Sequence, residues 1–224
     1  MAGFILGVVS SLAATALTVT AGWLGSSRMQ HLPMLLLSRI TGLGIQRIYS
    51  QQKTANAYLG ADLASARWVR VLAGRGNELT RESFHSVWKE ADTRLEWVQV
   101  LLPDPRPGTA SCLADRENEI RRCDAGYEPG LLARQVEANV QYVMAVAGKR
   151  ERVALRLFDA PNICRIIVTD RVAYLTTYIA TDHGRNSPCI VFSRPGPMYE
   201  FALRIFLTTW DRAIPASTGE VIDR

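Results

Sequence analysis

Hydrophobic and polar positions fall along this chain in two regimes. The first twenty-seven residues contain no Asp, Glu, Lys, Arg or His, and charge begins at Arg28. Within them Phe4 to Leu24 is predominantly apolar. At a helical rise of roughly 1.5 Å per residue it is long enough to cross a hydrocarbon core about 30 Å thick. The pattern therefore predicts a transmembrane helix over residues 1–27, whose Ser and Thr hydroxyls can bond back to the preceding turn or to a neighbouring helix. A cleaved signal peptide is the competing reading, with Val19-Thr20-Ala21 as its cleavage site, but the positive n-region of an export signal is missing. Arg28, Arg39, Arg47 and Lys53 all follow the span. The positive-inside tendency then predicts a single-pass protein of a cell inner membrane with its C-terminal part in the cytoplasm.

Residues 28–50 read as a juxtamembrane amphipathic segment. In Leu32 to Ile48 apolar residues are interrupted by Ser38, Arg39, Thr41, Gln46 and Arg47. Such a stretch either lies flat on anionic headgroups or packs on the folded part or on other copies of itself. From residue 51 the pattern changes to short β-rich runs alternating with helical ones, which predicts one domain over 51–215 and a tail over 216–224. Strands are expected at Trp68 to Ala73 and Trp97 to Leu102, each stopped by turn residues. Four more follow at Val153 to Phe158, Cys164 to Thr169, Val172 to Ile179 and Cys189 to Phe192. Helices are expected from Thr80, presenting Phe84, Val87 and Trp88, over Arg116 to Arg122, over Gly130 to Val146, and over Met198 to Arg212, presenting Phe201, Ile205, Phe206 and Trp210. Interleaved strands and helices define an α/β class, a mixed sheet flanked by helices.

Composition adds little to this. About 170 residues suffice for one core of the usual size. A net charge of +5 is a mild preference for anionic partners such as phosphates or headgroups and makes no case for nucleic acid, which is not an expected partner. Cys112, Cys123, Cys164 and Cys189 show no C-x-x-C or Cys/His spacing, which argues against a zinc site and gives no disulfide framework; no cofactor or metal is expected.

Candidate chemistry centres on Ile163 to Tyr178, ICRIIVTDRVAYLTTY. With the strands around it and the final helix bearing Phe206 and Trp210, this stretch resembles the phospholipase D-like superfamily, whose signature is H-x-K-x-x-x-x-D. Arg165 stands at the Lys position, Asp170 at the Asp position and Ile163 at the His position. The resemblance implies a phospholipase D-like sheet over about residues 58–213, a phosphate site at Arg165 and Asp170, and pairing of two or more copies. Isoleucine has neither a lone pair to attack phosphorus nor a proton for a leaving group, so the covalent phosphohistidine route is closed at this position. A guanidinium at 165 still suits an oxyanion. The plainer alternative is that Arg165 and Asp170 pair with each other or cap strand ends.

Further candidates surround that stretch. Tyr178 closes it, and the loop Asp182-His183-Gly184-Arg185-Asn186 supplies His183 and Arg185. His183 is either a nucleophile or general base, or simply solvated. Gly74-Arg75-Gly76 ends a strand and either approaches a ligand or makes a plain turn. Arg116 with Glu119, and Gln135 with Asn139, either point into a cleft or sit on solvated helix faces. Asp104, between two prolines, either lines the C-terminal sheet edge where α/β proteins bind ligands or shapes its loop. Together these predict a membrane protein with a catalytically degenerate domain that binds or senses a nucleotide or headgroup, in the manner of a bacterial signalling or defence effector. The alternatives are a membrane-anchored phosphodiesterase or nuclease using His183 with Arg165 and Arg185, and a structural membrane scaffold.

Overall fold

The computed structural model describes Ser38 and residues 40–89, 94–106, 111–179 and 182–216. The chain divides into two compact units, Met1–Leu43 and Gly44–Arg224. In the first, the described residues are Ser38 and 40–43, which end a helical turn. The expected transmembrane helix lies outside the described residues. Among the described residues no helix is long and apolar enough to cross a membrane.

The second unit is built on one mixed sheet of eight strands: β1 (Ile45–Tyr49), β2 (Trp68–Leu72), β3 (Trp97–Pro103), β4 (Val153–Phe158), β5 (Cys164–Thr169), β6 (Val172–Thr177), β7 (Cys189–Ser193) and β8 (Ile214–Pro215). They lie in the order β1-β7-β6-β5-β2-β3-β4-β8. Only β2–β3 and β3–β4 pair in parallel. Helices α1 (Gln52–Ala64), α2 (Cys112–Cys123) and α3 (Leu131–Ala147) put their apolar residues on one face, and α4 (Pro197–Arg212) puts its own on the other. Cover on both faces is why β2, β3 and β5 read as nearly unbroken apolar runs. Val69, Val71 and Ile167 point to the three-helix face, while Leu72, Ile166 and Val168 point to α4.

Three of the helix starts have a side-chain or proline cause. Ser111 accepts from the Leu113 N–H at 3.3 Å and opens α2, while the Glu117 carboxylate accepts from the N–H groups of Gly130 and Leu132 and so caps α3 from a neighbouring helix. Pro197 occupies the first turn of α4, where its missing N–H costs nothing.

The expected α/β sheet is what forms, with the short edge strand β8 added to it and four further differences. Ile45–Tyr49, assigned by pattern to the juxtamembrane segment 28–50, is strand β1: Arg47 pairs across from Val191 and Tyr49 from Cys189, so the folded unit begins at Gly44. The helix expected from Thr80 is instead two 3₁₀ turns, Asn77–Thr80 and Glu82–Phe84, broken where Arg81 takes up extended backbone. Turns of period three bury Leu79, Phe84 and Val87 together within a segment too short for a stable helix. Helix α4 presents Tyr199, Ala202, Phe206 and Trp210; Phe201 lies about 100° round the axis from Ala202 and is 50 % exposed. Finally α1 had no counterpart in the pattern, because alanines on both of its sides blur the stripe made by Ala55, Leu59 and Leu63.

Candidate functional site

At the C-terminal edge of β2 and β6, where β5 begins, the three-helix face opens into a cavity of about 470 Å³. Six lining residues are cationic, Lys53, Arg75, Arg81, Arg116, Arg165 and Arg185, and one lining residue, Glu78, is a carboxylate. Asn56 donates to Glu78 Oε2 at 2.8 Å and the Ser83 hydroxyl bonds Oε1, so both of its oxygens are engaged.

Arg165 is the innermost of the cations, 3 % exposed. Its Nη2 donates to Asn56 Oδ1 at 3.1 Å. With the Gln52 amide oriented to satisfy its neighbours, the Gln52 oxygen accepts from Arg165 Nη1 at 2.8 Å and its nitrogen donates to the Gly184 carbonyl at 3.1 Å. The buried Nε has no partner. The Cys189 thiol is also beside it. Burial pushes that thiol up and Arg165 pulls it the other way, but a thiol brings no compensating charge. Among the described residues no carboxylate pairs with Arg165, which is uncommon for a buried cation.

The remaining walls are rigidly built. Arg116, 6 % exposed, binds Glu119 at 2.7 Å and donates to the carbonyls of Ile179 and Asp182 at 3.4 and 3.1 Å, tying α2 to the segment after β6. Tyr178 accepts from the Gly74 N–H at 3.4 Å, and its hydroxyl is pushed up by burial against the opposing pull of Arg165. The turn Gly74-Arg75-Gly76 lines the cavity with close-set backbone. A Cβ on Gly74 would stand 2.0 Å from the Asn162 amide, and Gly76 holds a φ of +84° with Leu102 2.8 Å from where its Cβ would be. Arg75 reaches out to donate to the Tyr127 hydroxyl at 3.3 Å.

Asn139 locks this turn from behind, donating to the Arg75 carbonyl at 2.8 Å and to Asn77 Oδ1 at 2.7 Å. Replacing it by Leu keeps the volume and strands two acceptors. The expected result is a loss of about 1–3 kcal/mol in denaturant unfolding, together with weaker anion binding as the turn loosens. An unchanged midpoint would show that the turn holds itself.

Of the residues singled out by sequence, the cavity gathers Arg75, Arg116, Arg165, Tyr178, His183 and Arg185. Two lie elsewhere. Asp170 sits at the opposite end of β5, where it accepts from the Arg67 N–H at 2.9 Å. Five residues of strand separate it from Arg165 by about 16 Å, so the two neither pair nor share a site. Asp104 folds over its own loop to clamp Arg106, which holds its carboxyl below the usual range, and it does not line the cavity. Ile163, at the motif's His position, precedes β5 and is 69 % exposed. Sequence reasoning missed Gln52, Lys53, Asn56 and Arg81. The polar run Gln51-Gln52-Lys53 immediately before the spaced residues Ala55, Leu59 and Leu63 is the signal that marks a polar first helical turn. Among the described residues no group of three or more His, Cys, Asp or Glu could hold a metal ion.

No protein-family model matches this chain, and no curated protein matches it. Solved structures similar to it include Nuc from Salmonella typhimurium, a phospholipase D family member, at 14 % identity and a TM-score of 0.49, covering 77 % of this chain and 97 % of that one. NucT from Helicobacter pylori is 8 % identical with a TM-score of 0.43, covering 76 % and 98 %. TrmBL2, an archaeal chromatin protein with a novel mode of DNA binding, is 11 % identical with a TM-score of 0.47, covering 93 % and 69 %. The assignment of the site rests on its side chains.

Proposed function

We propose that the cavity binds a phosphate-bearing ligand, a nucleotide or a headgroup, and that the chain holds this binding domain at a membrane through residues 1–27. The observation that carries the reading is Arg165: a buried guanidinium that, among the described residues, has an unpartnered Nε and no carboxylate, at the floor of a cavity whose mouth carries Lys53, Arg81 and Arg185. Such an arrangement is incomplete until an anion enters, and a phosphate supplies both the charge and the acceptors. The charge-free run before Arg28 supports the anchor, and its Ala, Gly, Ser and Thr suit close packing of two or more copies. A sensing role follows if the ligand binds two states of the assembly unequally.

The test is the melting temperature of the full-length chain with pyrophosphate, linear and cyclic nucleotides, soluble headgroups and a single-stranded oligonucleotide. A ligand at a hundred times its Kd adds about 2.7 kcal/mol, a rise of roughly 5–10 °C for a chain of this size. The rise is expected to saturate and to vanish in Arg165→Ala. A chain that shifts with no anion defeats the reading.

A further inference from the structure

We propose that His183 and Asp124 form a proton-transfer pair at this cavity, so that a phosphate ester held there is hydrolysed by water; the inference rests on the anion binding proposed above. No sequence pattern joins the two residues, which are 59 positions apart, yet His183 Nε2 lies 3.1 Å from Asp124 Oδ2.

Both members are held in place. Asp124 closes α2 with its N–H donating to Ile120 O at 2.9 Å, and its Oδ1 accepts from the Gly126 N–H at 3.1 Å, which leaves Oδ2 aimed at the imidazole. The His183 N–H donates to Asp182 Oδ1 at 2.6 Å, the same oxygen that accepts from Asn186 Nδ2 at 2.8 Å. Those two bonds hold the Asp182 carboxyl below its ordinary range. Arg116 grips the segment again through the Asp182 carbonyl. A histidine merely dangling in a surface loop needs none of this.

The pair also fixes the tautomer. With the Nε2 hydrogen given to the carboxylate, the lone pair resides on Nδ1, which forms no bond among the described residues. His183 lines the cavity with Arg165, Arg75 and Arg185. The charged and titratable groups around it are Asp124, Asp182, Arg116, Arg185, and Arg75 through Tyr127, whose ring lies 6.2 Å from the imidazole. In the step, a water oxygen bonds to phosphorus as its proton moves to Nδ1. The ester P–O bond breaks, and the departing oxygen takes the proton from Nδ1. One water is consumed and an alcohol and a phosphate are released, while the guanidinium groups hold the charge that grows on the non-bridging oxygens. This route leaves Ile163 out and needs no phosphohistidine.

The full-length chain is assayed for release of p-nitrophenolate from bis(p-nitrophenyl) phosphate and from p-nitrophenyl phosphate, beside the melting shift produced by pyrophosphate. His183→Gln is expected to lose at least about a hundredfold in rate and to keep the pyrophosphate shift. Asp124→Asn is expected to lose at least about tenfold in kcat while keeping the pyrophosphate shift, because the imidazole has lost the carboxylate that orients it. A pair that only fastens the loop would lower the melting temperature in both variants and leave the rate per folded molecule unchanged, which overturns the proposal. Wild-type chain that shifts with pyrophosphate but hydrolyses neither ester also overturns it and leaves the binding reading standing. Absence of the shift itself removes the binding reading.

Discussion

Replacing Arg165 by Met is expected to leave the ligand-free chain as stable as before, or a few degrees more stable, while abolishing its response to phosphate. The expectation follows from the charge balance around the side chain. A buried donor without a partner costs about 1–3 kcal/mol, and the unpartnered Nε is such a donor. A buried cation is ordinarily offset by a carboxylate, and among the described residues Arg165 has instead the amide oxygens of Asn56 and Gln52 and the Cys189 thiol. Methionine keeps the stem and removes the charge. Two freed amide oxygens offset part of the gain, but both belong to residues lining the cavity, where water reaches. With roughly 2–4 °C per kcal/mol in a chain of this size, the net change is between about zero and a few degrees upward. Differential scanning calorimetry with and without pyrophosphate reads both halves at once. A ligand-free midpoint that falls by several degrees would make Arg165 a structural keystone, and the anion would lose its reason to bind there.

The opposite behaviour is expected of Phe206→Ala. Phe206 is fully buried on α4, stacked on Trp210 with ring centroids 5.6 Å apart, and the Arg70 guanidinium lies 5.8 Å from its ring. Truncating a buried Phe costs about 3–5 kcal/mol, which is roughly 6–20 °C here. Among the described residues helix α4 is the helix that covers its face of the sheet, while every helix that lines the cavity belongs to the other face. The increment produced by phosphate should therefore survive in full on the lowered baseline. Loss of that increment would mean that strain passes through the sheet from one face to the other. The two variants together separate what holds the fold from what holds the ligand.

The central strands were legible because they are covered on both sides. WVQVLL and CRIIVT announce themselves by apolar density, and their boundaries in the structure differ from expectation by a residue or less. Arg165 was legible for the same reason: a charge inside an apolar run must be explained. What the sequence did not carry is adjacency. Nothing local tells that Asp124 ends beside His183, or that Asn56 and Gln52 reach Arg165. The motif spacing misled at Asp170, because on an extended chain five positions are a distance and not a neighbourhood. Likewise Ile45–Tyr49 resembled the amphipathic stretch before it, since an edge strand with an arginine at its centre has the composition of either.

The span of chain between Asn56 and Arg165, 109 residues, has a consequence for biosynthesis. Strand β2 leaves the ribosome early, yet its antiparallel neighbour β5 and the loop bearing His183 emerge about a hundred residues later. Until then β2 has only β3 beside it and an open edge on the other side. Nascent chains arrested before Ser187 lack one wall of the cavity and cannot recognise an anion, however well α1 and α2 have formed. Ligand competence therefore arrives in one late event, and a cell that makes truncated copies of this protein makes inert ones.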